Sequence, residues 1–264
     1  MEIKIGDLIT QEEYIYIVNK YQEYICHIKT DYFKIGPFEW RGFAHPKDIK
    51  ENVIISHSDY EIDDSIASPF KNVFCVNNVT TLENTHSLPM GLPNDTDEMD
   101  ILEIIGNKEV FMSVVNSNIQ KENLLYINFS TSTYPSLRGN LCKMFHEVSW
   151  VKREEPEYTH EGRKRYLEGI KKSKFVLCPR GNGIDTHRLW ESLYLGSIPI
   201  IERHRTHDMC DDLPVLFIDD WRHINEEYLN EKYHEINERS HNMDKLKISY
   251  WENLIKNKIF AQTD

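Results

Sequence analysis

A glycine-containing segment in the second half of the chain places two arginines and a glutamate where they could bind phosphate. Arg180 stands before Gly181 and Gly183, and Arg188 and Glu191 follow three residues apart. Residues with this spacing share one face of a helix. The free amide groups at a helix N-terminus and neighbouring guanidinium groups together favour an anion such as a diphosphate. The segment therefore predicts an anion site.

The elements that must position these residues are a strand, a turn and a helix. Residues 175–177 form an apolar run that is typical of a buried strand, and Pro179 begins a turn. Asp185 or Thr186 can cap the helix that follows, and Gly196 ends it. In parallel sheets, ligands bind beyond the carboxyl ends of the strands, which is where this loop is expected.

For this segment and the residues that follow it, three other interpretations remain open from spacing alone. Arg188 and Glu191 could form only a surface ion pair, with the glycines serving only a turn. Cys178 could be a nucleophile, although a small packed side chain is the more ordinary role for a cysteine at a strand end. A zinc site could be formed by His204, His207 and Cys210.

The segment resembles the signature of the exostosin-like glycosyltransferases, glycosyltransferase family 47. The matching residues are Cys-Pro-Arg-Gly at 178–181, Thr-His-Arg at 186–188, Trp-Glu at 190–191 and Gly-Ser-Ile-Pro at 196–199. Weaker similarity extends over residues 50–225 and is to small soluble members, such as those of large DNA viruses or bacteria. The resemblance implies a GT-B fold, with two Rossmann-like domains facing across a cleft, and inverting transfer of a sugar from a UDP-sugar.

The predicted donor site combines the segment with this resemblance. Arg180 and Arg188, with the loop amides, would hold the diphosphate and stabilise the leaving group without a metal ion or other cofactor. The resemblance implies that Glu191 accepts hydrogen bonds from the ribose hydroxyls. The predicted substrate-binding residues are Arg138, Arg180, Gly181, Asn182, Gly183, Asp185, Thr186, His187, Arg188 and Glu191. UDP-xylose is favoured as the donor through the resemblance alone.

An inverting transfer also needs a base that deprotonates the acceptor hydroxyl. The loop after the predicted strand at 53–56 should face the cleft from the opposite domain, and it contains His57, Asp59, Glu61, Asp63 and Asp64. Asp59, close to the strand end, is the predicted catalytic base. A solvated acidic loop with no catalytic role is the alternative.

Strands that alternate with helices predict an α/β protein with parallel sheets. We expect an N-terminal acceptor-side domain over residues 1–122 and a C-terminal nucleotide-sugar-binding domain over 123–245. A helix within 246–264 is expected to return to the first domain, as in other GT-B enzymes. The apolar pattern also predicts a helix over 11–27 and a strand over 109–115.

Composition restricts the classes of partner. The formal net charge of −12 argues against a broad nucleic-acid surface, which would be basic. No apolar run is long enough for a transmembrane helix, and the N-terminal residues do not resemble a signal peptide. Five scattered cysteines suit reduced thiols. These features predict a cytoplasmic protein without membrane insertion, unlike the Golgi-anchored animal and plant members of the family.

The acceptor is the least defined partner. We expect a glycan or glycoprotein hydroxyl, with Phe38, Trp40 and Tyr60 as candidate stacking platforms for its sugars. Because fold does not determine function, a catalytically silent module that binds nucleotide sugars or glycans is the alternative to an enzyme.

Overall fold

The computed structural model describes residues 2–29, 50–56, 59–95 and 100–261, and these contain two parallel β-sheets. The first sheet has the strand order β1-β2-β3-β4, and every neighbouring pair is parallel. Its strands are β1 (Ile25–Lys29), β2 (Asn52–Ser56), β3 (Asn72–Cys75) and β4 (Thr85–Ser87).

The second sheet has five parallel strands in the order β6-β5-β7-β8-β9. They are β5 (Asn123–Ile127), β6 (Val151–Arg153), β7 (Ser173–Leu177), β8 (Ile198–Glu202) and β9 (Leu216–Ile218). Parallel neighbours require crossover connections, and helices provide them between β2 and β3, between β5 and β6, and between β7 and β8. The prediction of an α/β protein with parallel, Rossmann-like sheets is confirmed.

The α-helices of the described residues connect and cover these sheets. They are α1 (Gln11–Lys20), α2 (Asp64–Ala67), α3 (Asp100–Gly106), α4 (Lys108–Val115), α5 (Pro135–Met144), α6 (His160–Lys171), α7 (His187–Tyr194), α8 (Glu226–Asn237) and α9 (Ile248–Ile259). Within the described ranges, no helix combines the length and apolar character needed to cross a lipid bilayer.

One hydrophobic core contains side chains from one face of each sheet and from the helices. Successive side chains of a strand point to opposite faces, so Ile54 of β2 and Val176 of β7 contribute to the same central cluster. Their neighbours point away from it: Val53 and Ile55 pack in an outer cluster of the first sheet. Phe175 lies in an outer cluster of the second sheet. Burial on both faces explains why these strands are short apolar runs without polar alternation.

The helix α9 packs against the first sheet although it follows the second in sequence. It contacts β3, and its Trp251 and Ile255 lie in the central core. Glu252 also accepts hydrogen bonds from Lys20 Nζ at 2.6 Å and from the Tyr21 hydroxyl at 2.9 Å, both at the end of α1. The chain terminus therefore connects the two halves of the molecule.

Two secondary-structure predictions were wrong. Residues 109–115, predicted as a strand, lie in α4, because Asn107 caps the helix through Val110 N and because Phe111 and Val114 bury one helical face. The helix predicted over 11–27 ends at Lys20, and β1 begins at Ile25 after a turn. Isolated apolar runs of this length fit either element, and packing decides between them.

Candidate functional site

A cleft with a volume of about 720 Å³ lies where the carboxyl ends of strands from both sheets converge. Asp59 and Met90 line it from the segments after β2 and β4, while Asn128 and Gly181 line it after β5 and β7. Of the residues predicted from sequence, the cleft brings together Asp59, Arg138, Gly181, Asn182, Gly183, Asp185, Thr186, His187, Arg188 and Glu191. Arg180 is the one predicted residue that does not line it.

Asn77 holds the glycine-containing loop from the opposite sheet. Its side-chain Oδ1 accepts hydrogen bonds from the amides of Ile184 and Asp185, both at 2.9 Å. A Cβ on Gly183 would lie 2.9 Å from Asn77 Nδ2, so a larger residue there would displace the Asn77 side chain. Asn77 is buried and has a left-handed backbone (φ 52°), which asparagine tolerates better than most residues. Sequence analysis missed this residue, since nothing local shows which loop it meets.

Asp185 is a second connection between the two halves. Its carboxylate, 1% exposed, accepts hydrogen bonds from Met90 N and Thr186 N, each at 2.8 Å, and from the Trp190 indole. Burial raises the pKa of Asp185 to about 6, although these three hydrogen bonds act in the opposite direction. Thr186 is the N-cap residue of α7, but its side chain makes no capping bond. Asp185 therefore positions the loop, and its oxygens are already occupied by protein donors.

Two guanidinium groups in the cleft lack a carboxylate partner among the described residues. Arg138 donates to the carbonyl oxygens of Arg180, Ser130 and Pro179, at 2.9, 3.0 and 3.2 Å, and to the Thr133 hydroxyl. Burial, with a contribution from Arg188, lowers the pKa of Arg138 to about 10.

Arg188 donates through Nε to the Asn128 carbonyl at 2.9 Å, and no described residue accepts a hydrogen bond from its two Nη groups. Both guanidinium groups lie over the Phe129 ring, with centroid distances of 5.4 Å for Arg138 and 5.5 Å for Arg188. Carbonyl oxygens and a ring face stabilise a cation without cancelling its charge. The cleft thus presents positive charge that an anion could neutralise.

Glu191 is not the surface partner of Arg188. It is 1% exposed, and its carboxylate lies 2.6 Å from Arg163 Nη2 and accepts a hydrogen bond from the Tyr166 hydroxyl at 2.6 Å. Burial raises the pKa of Glu191, but Arg163 and Tyr166 outweigh burial and hold it below its ordinary value. The alternative of a surface ion pair between Arg188 and Glu191 is therefore wrong. Arg163 and Tyr166 of α6 also line the cleft and were missed.

Arg180 does not line the cleft, and its role in substrate binding stays a prediction. Its Nη2 lies 3.1 Å from Glu61 Oε1 and donates to the Asn182 carbonyl at 3.0 Å. Its guanidinium lies 4.7 Å from the centre of the Tyr134 ring. A local carboxylate already balances this charge, so Arg180 links the loop after β7 to the segment after β2.

Within the acidic segment after β2, Asp59 is the described carboxylate that reaches the cleft. It is exposed, and its Oδ2 accepts a hydrogen bond from Asn182 Nδ2 at 3.3 Å. Asp63 instead caps α2, and Asp64 accepts hydrogen bonds from Thr80 and Thr81. The candidates at positions 57, 38 and 40 lie outside the described residues, and Tyr60 does not line the cleft.

The structure supports neither of the other two interpretations, the zinc site and the cysteine nucleophile. No group of three His, Cys, Asp or Glu side chains in the described ranges could hold a metal ion. His204 accepts from Thr206 N as the cap of a short 3₁₀ helix, and His207 is buried beside the Glu202 carbonyl. Burial raises the pKa of the Cys178 thiol to about 12, which leaves no thiolate for nucleophilic attack at neutral pH.

Comparison with known proteins assigns the chain to a family through its second half. The model of the RXYLT1 C-terminal domain matches residues 108–262, more than half of the 264 residues. The chain belongs to this family. The match begins at α4 and includes the whole second sheet.

Two curated relatives are each named Ribitol-5-phosphate xylosyltransferase 1, from Homo sapiens and Mus musculus. Each is 27% identical to this chain over 97 residues, an alignment that covers 30% of this chain and 22% of the relative. The similarity thus spans about a fifth of each relative's length.

The contacts of Asn77 predict that this residue keeps the glycine-containing loop ordered. Asn77→Ala removes the acceptor of two buried amides, so we expect a loss of about 1–3 kcal/mol of unfolding free energy. Hydrogen exchange at the amides of Ile184 and Asp185 should accelerate. Asn77→Asp is the matched control, because it keeps an acceptor oxygen and tolerates the left-handed backbone. Unchanged exchange at both amides in Asn77→Ala would contradict the assignment.

Proposed function

We propose that the protein is an inverting, metal-independent glycosyltransferase that moves a sugar from a UDP-sugar to a hydroxyl of a glycan acceptor. The family and the xylosyltransferase names of the relatives support sugar transfer, and they favour UDP-xylose as the donor. The observation that carries the proposal is the pair of cleft guanidinium groups without carboxylates. They favour a doubly charged diphosphate over a neutral ligand.

The proposed architecture is of the GT-B type. Two parallel sheets turn their carboxyl ends toward one cleft, which fits an acceptor-side domain over 1–122 and a donor-side domain over 123–245. The packing of α9 on β3 fits a terminal helix within 246–264 that returns to the first domain. The resemblance to exostosin-like transferases is consistent with this arrangement.

In the proposed donor complex, the free Nη groups of Arg188 and the amides at the start of α7 bind the diphosphate. Arg138, which lines the same cleft, adds positive charge and holds the loop backbone through the carbonyl oxygens of Arg180 and Pro179. Glu191, ionised by its contact with Arg163, accepts hydrogen bonds from the ribose hydroxyls. These fixed charges stabilise the UDP leaving group as negative charge develops on it.

Asp59, in the segment after β2, is the proposed catalytic base. It takes the proton of the acceptor hydroxyl while that oxygen forms a bond to the anomeric carbon. The bond from the anomeric carbon to the β-phosphate oxygen breaks, and UDP leaves with the electron pair. Attack from the side opposite the diphosphate inverts the configuration. Asp59 is exposed and therefore accessible to an acceptor entering the cleft.

Substitution of Arg188 tests the donor site. Arg188→Ala should weaken UDP binding by about 1.5–3 kcal/mol, because a charge-assisted hydrogen bond to phosphate is lost. Titration calorimetry measures this change directly. Arg222→Ala, which removes an exposed arginine paired with Asp220, is the control and should bind UDP normally. Normal UDP affinity in a folded Arg188→Ala protein would exclude Arg188 from the donor site.

Substitution of Asp59 separates binding from chemistry. Asp59→Asn keeps the shape and hydrogen bonding of the side chain but cannot accept a proton at neutral pH. We expect UDP affinity to be retained and transfer to fall by about 100- to 10,000-fold. Asp208→Asn, an exposed carboxylate away from the cleft, should keep full activity.

The outcomes for Asp59→Asn discriminate between roles. Full transfer activity in this variant would remove Asp59 from catalysis. A wild-type protein that binds UDP-xylose without ever turning it over would instead support a silent binding module.

A further inference from the structure

His187, the first residue of α7, is held in one orientation by a backbone carbonyl. Its Nδ1 lies 2.8 Å from the Gly91 carbonyl oxygen, in the segment that follows β4. A carbonyl can only accept, so Nδ1 carries a proton in every charge state of the ring. The other nitrogen, Nε2, has no hydrogen-bond partner among the described residues, and the ring lines the cleft.

This arrangement determines whether Nε2 of His187 donates or accepts a hydrogen bond in the cleft. In the neutral ring, Nδ1 is the donor, and Nε2 therefore exposes a lone pair. Arg188 follows directly in sequence, and the backbone N–H groups of the first turn of α7 are nearby. A lone pair at Nε2 would repel an anion bound to those groups, whereas a protonated Nε2 would donate a hydrogen bond to it.

The surroundings keep the ring neutral before a ligand binds. Burial lowers the pKa of His187, and Arg163 of α6 lowers it further. The Gly91 carbonyl, Glu191 on the same helix and Asp59 of the segment after β2 raise it, but they do not outweigh burial. A diphosphate would bring two negative charges to the ring and reverse this balance.

We propose that His187 takes up a proton from solvent when the donor diphosphate binds, so that Nε2–H donates a hydrogen bond to a phosphate oxygen while Nδ1–H remains on the Gly91 carbonyl. This inference rests on the proposed function, because it requires a nucleotide diphosphate in the cleft. The imidazolium then adds a third positive charge beside those of Arg138 and Arg188. It stabilises the leaving group and keeps its own proton throughout.

The sign of the resulting pH dependence follows from linkage. The pKa of His187 is below its ordinary value in the free protein and is raised in the donor complex, so binding and protonation favour each other. Donor affinity is therefore greatest below the pKa of the free protein. It declines by up to about tenfold per pH unit as the pH rises from that pKa to the pKa of the complex.

Calorimetry with UDP-xylose, without an acceptor, tests the proposal. Both phosphates of this donor are esterified and do not titrate near neutrality, so proton uptake reports on the protein alone. Titrations at a pH about one unit above the ordinary histidine pKa are repeated in buffers of different ionisation enthalpy. For the wild-type protein, the measured enthalpy should depend on the buffer, with net uptake of up to about one proton per donor bound.

His187→Asn is the informative variant, since an asparagine amide can still donate to the Gly91 carbonyl but has no second ring nitrogen. It should bind UDP-xylose about tenfold more weakly, a loss expected for one charge-assisted hydrogen bond, and without proton uptake. His160→Asn, which changes an exposed histidine at the start of α6 outside the cleft, should keep both the affinity and the uptake.

The outcomes separate this inference from the proposed function. Donor binding by the wild-type protein without proton uptake would overturn the role of His187 and leave the glycosyltransferase proposal intact. Unchanged uptake in His187→Asn would likewise overturn it. Failure of the wild-type protein to bind UDP-xylose at any pH would overturn both.

Discussion

The positive charge of the cleft is the constraint on which the rest of the site depends. Removing a guanidinium group from water is costly unless it is paired and hydrogen-bonded. Arg138 is only 6% exposed, and the described residues satisfy its donors with carbonyl and hydroxyl oxygens rather than with a carboxylate. Its lowered pKa records part of that cost. Binding of an anion would offset this cost, as the proposed donor site requires.

The glycine-containing loop of the cleft also depends on hydrogen bonds between the two halves of the molecule. In the proposed anion-binding loop, the amides of Ile184 and Asp185 donate to an acceptor outside the loop. Asn77 of the first half provides that acceptor, and Asp185 in turn accepts from Met90 of the first half. The connections run in both directions, so displacement of either half would leave buried polar groups unsatisfied. These contacts fix the segments after β3 and β4 relative to the loop after β7.

Ten of the eleven site residues predicted from sequence line the cleft, mainly because the signature residues are close together in the chain. The strand β7, its loop and α7 are contiguous, so their turn residues and apolar pattern predict the anion-binding loop directly. The partners of these residues are distant in sequence and could not be predicted in this way. Glu191 pairs with Arg163 rather than Arg188, and Arg180 pairs with Glu61, because tertiary packing sets which charges meet. Likewise, α4 has an apolar pattern that fits a strand until its cap and its packing are known.

We propose that arginine side chains and helix amides take the place of a divalent ion at the diphosphate. The most direct test of this proposal is the affinity of UDP-xylose, measured by calorimetry first in excess EDTA and then with saturating manganese. We expect the same affinity under both conditions, since the binding charges belong to the protein. Binding that disappears in EDTA and returns with manganese would contradict it.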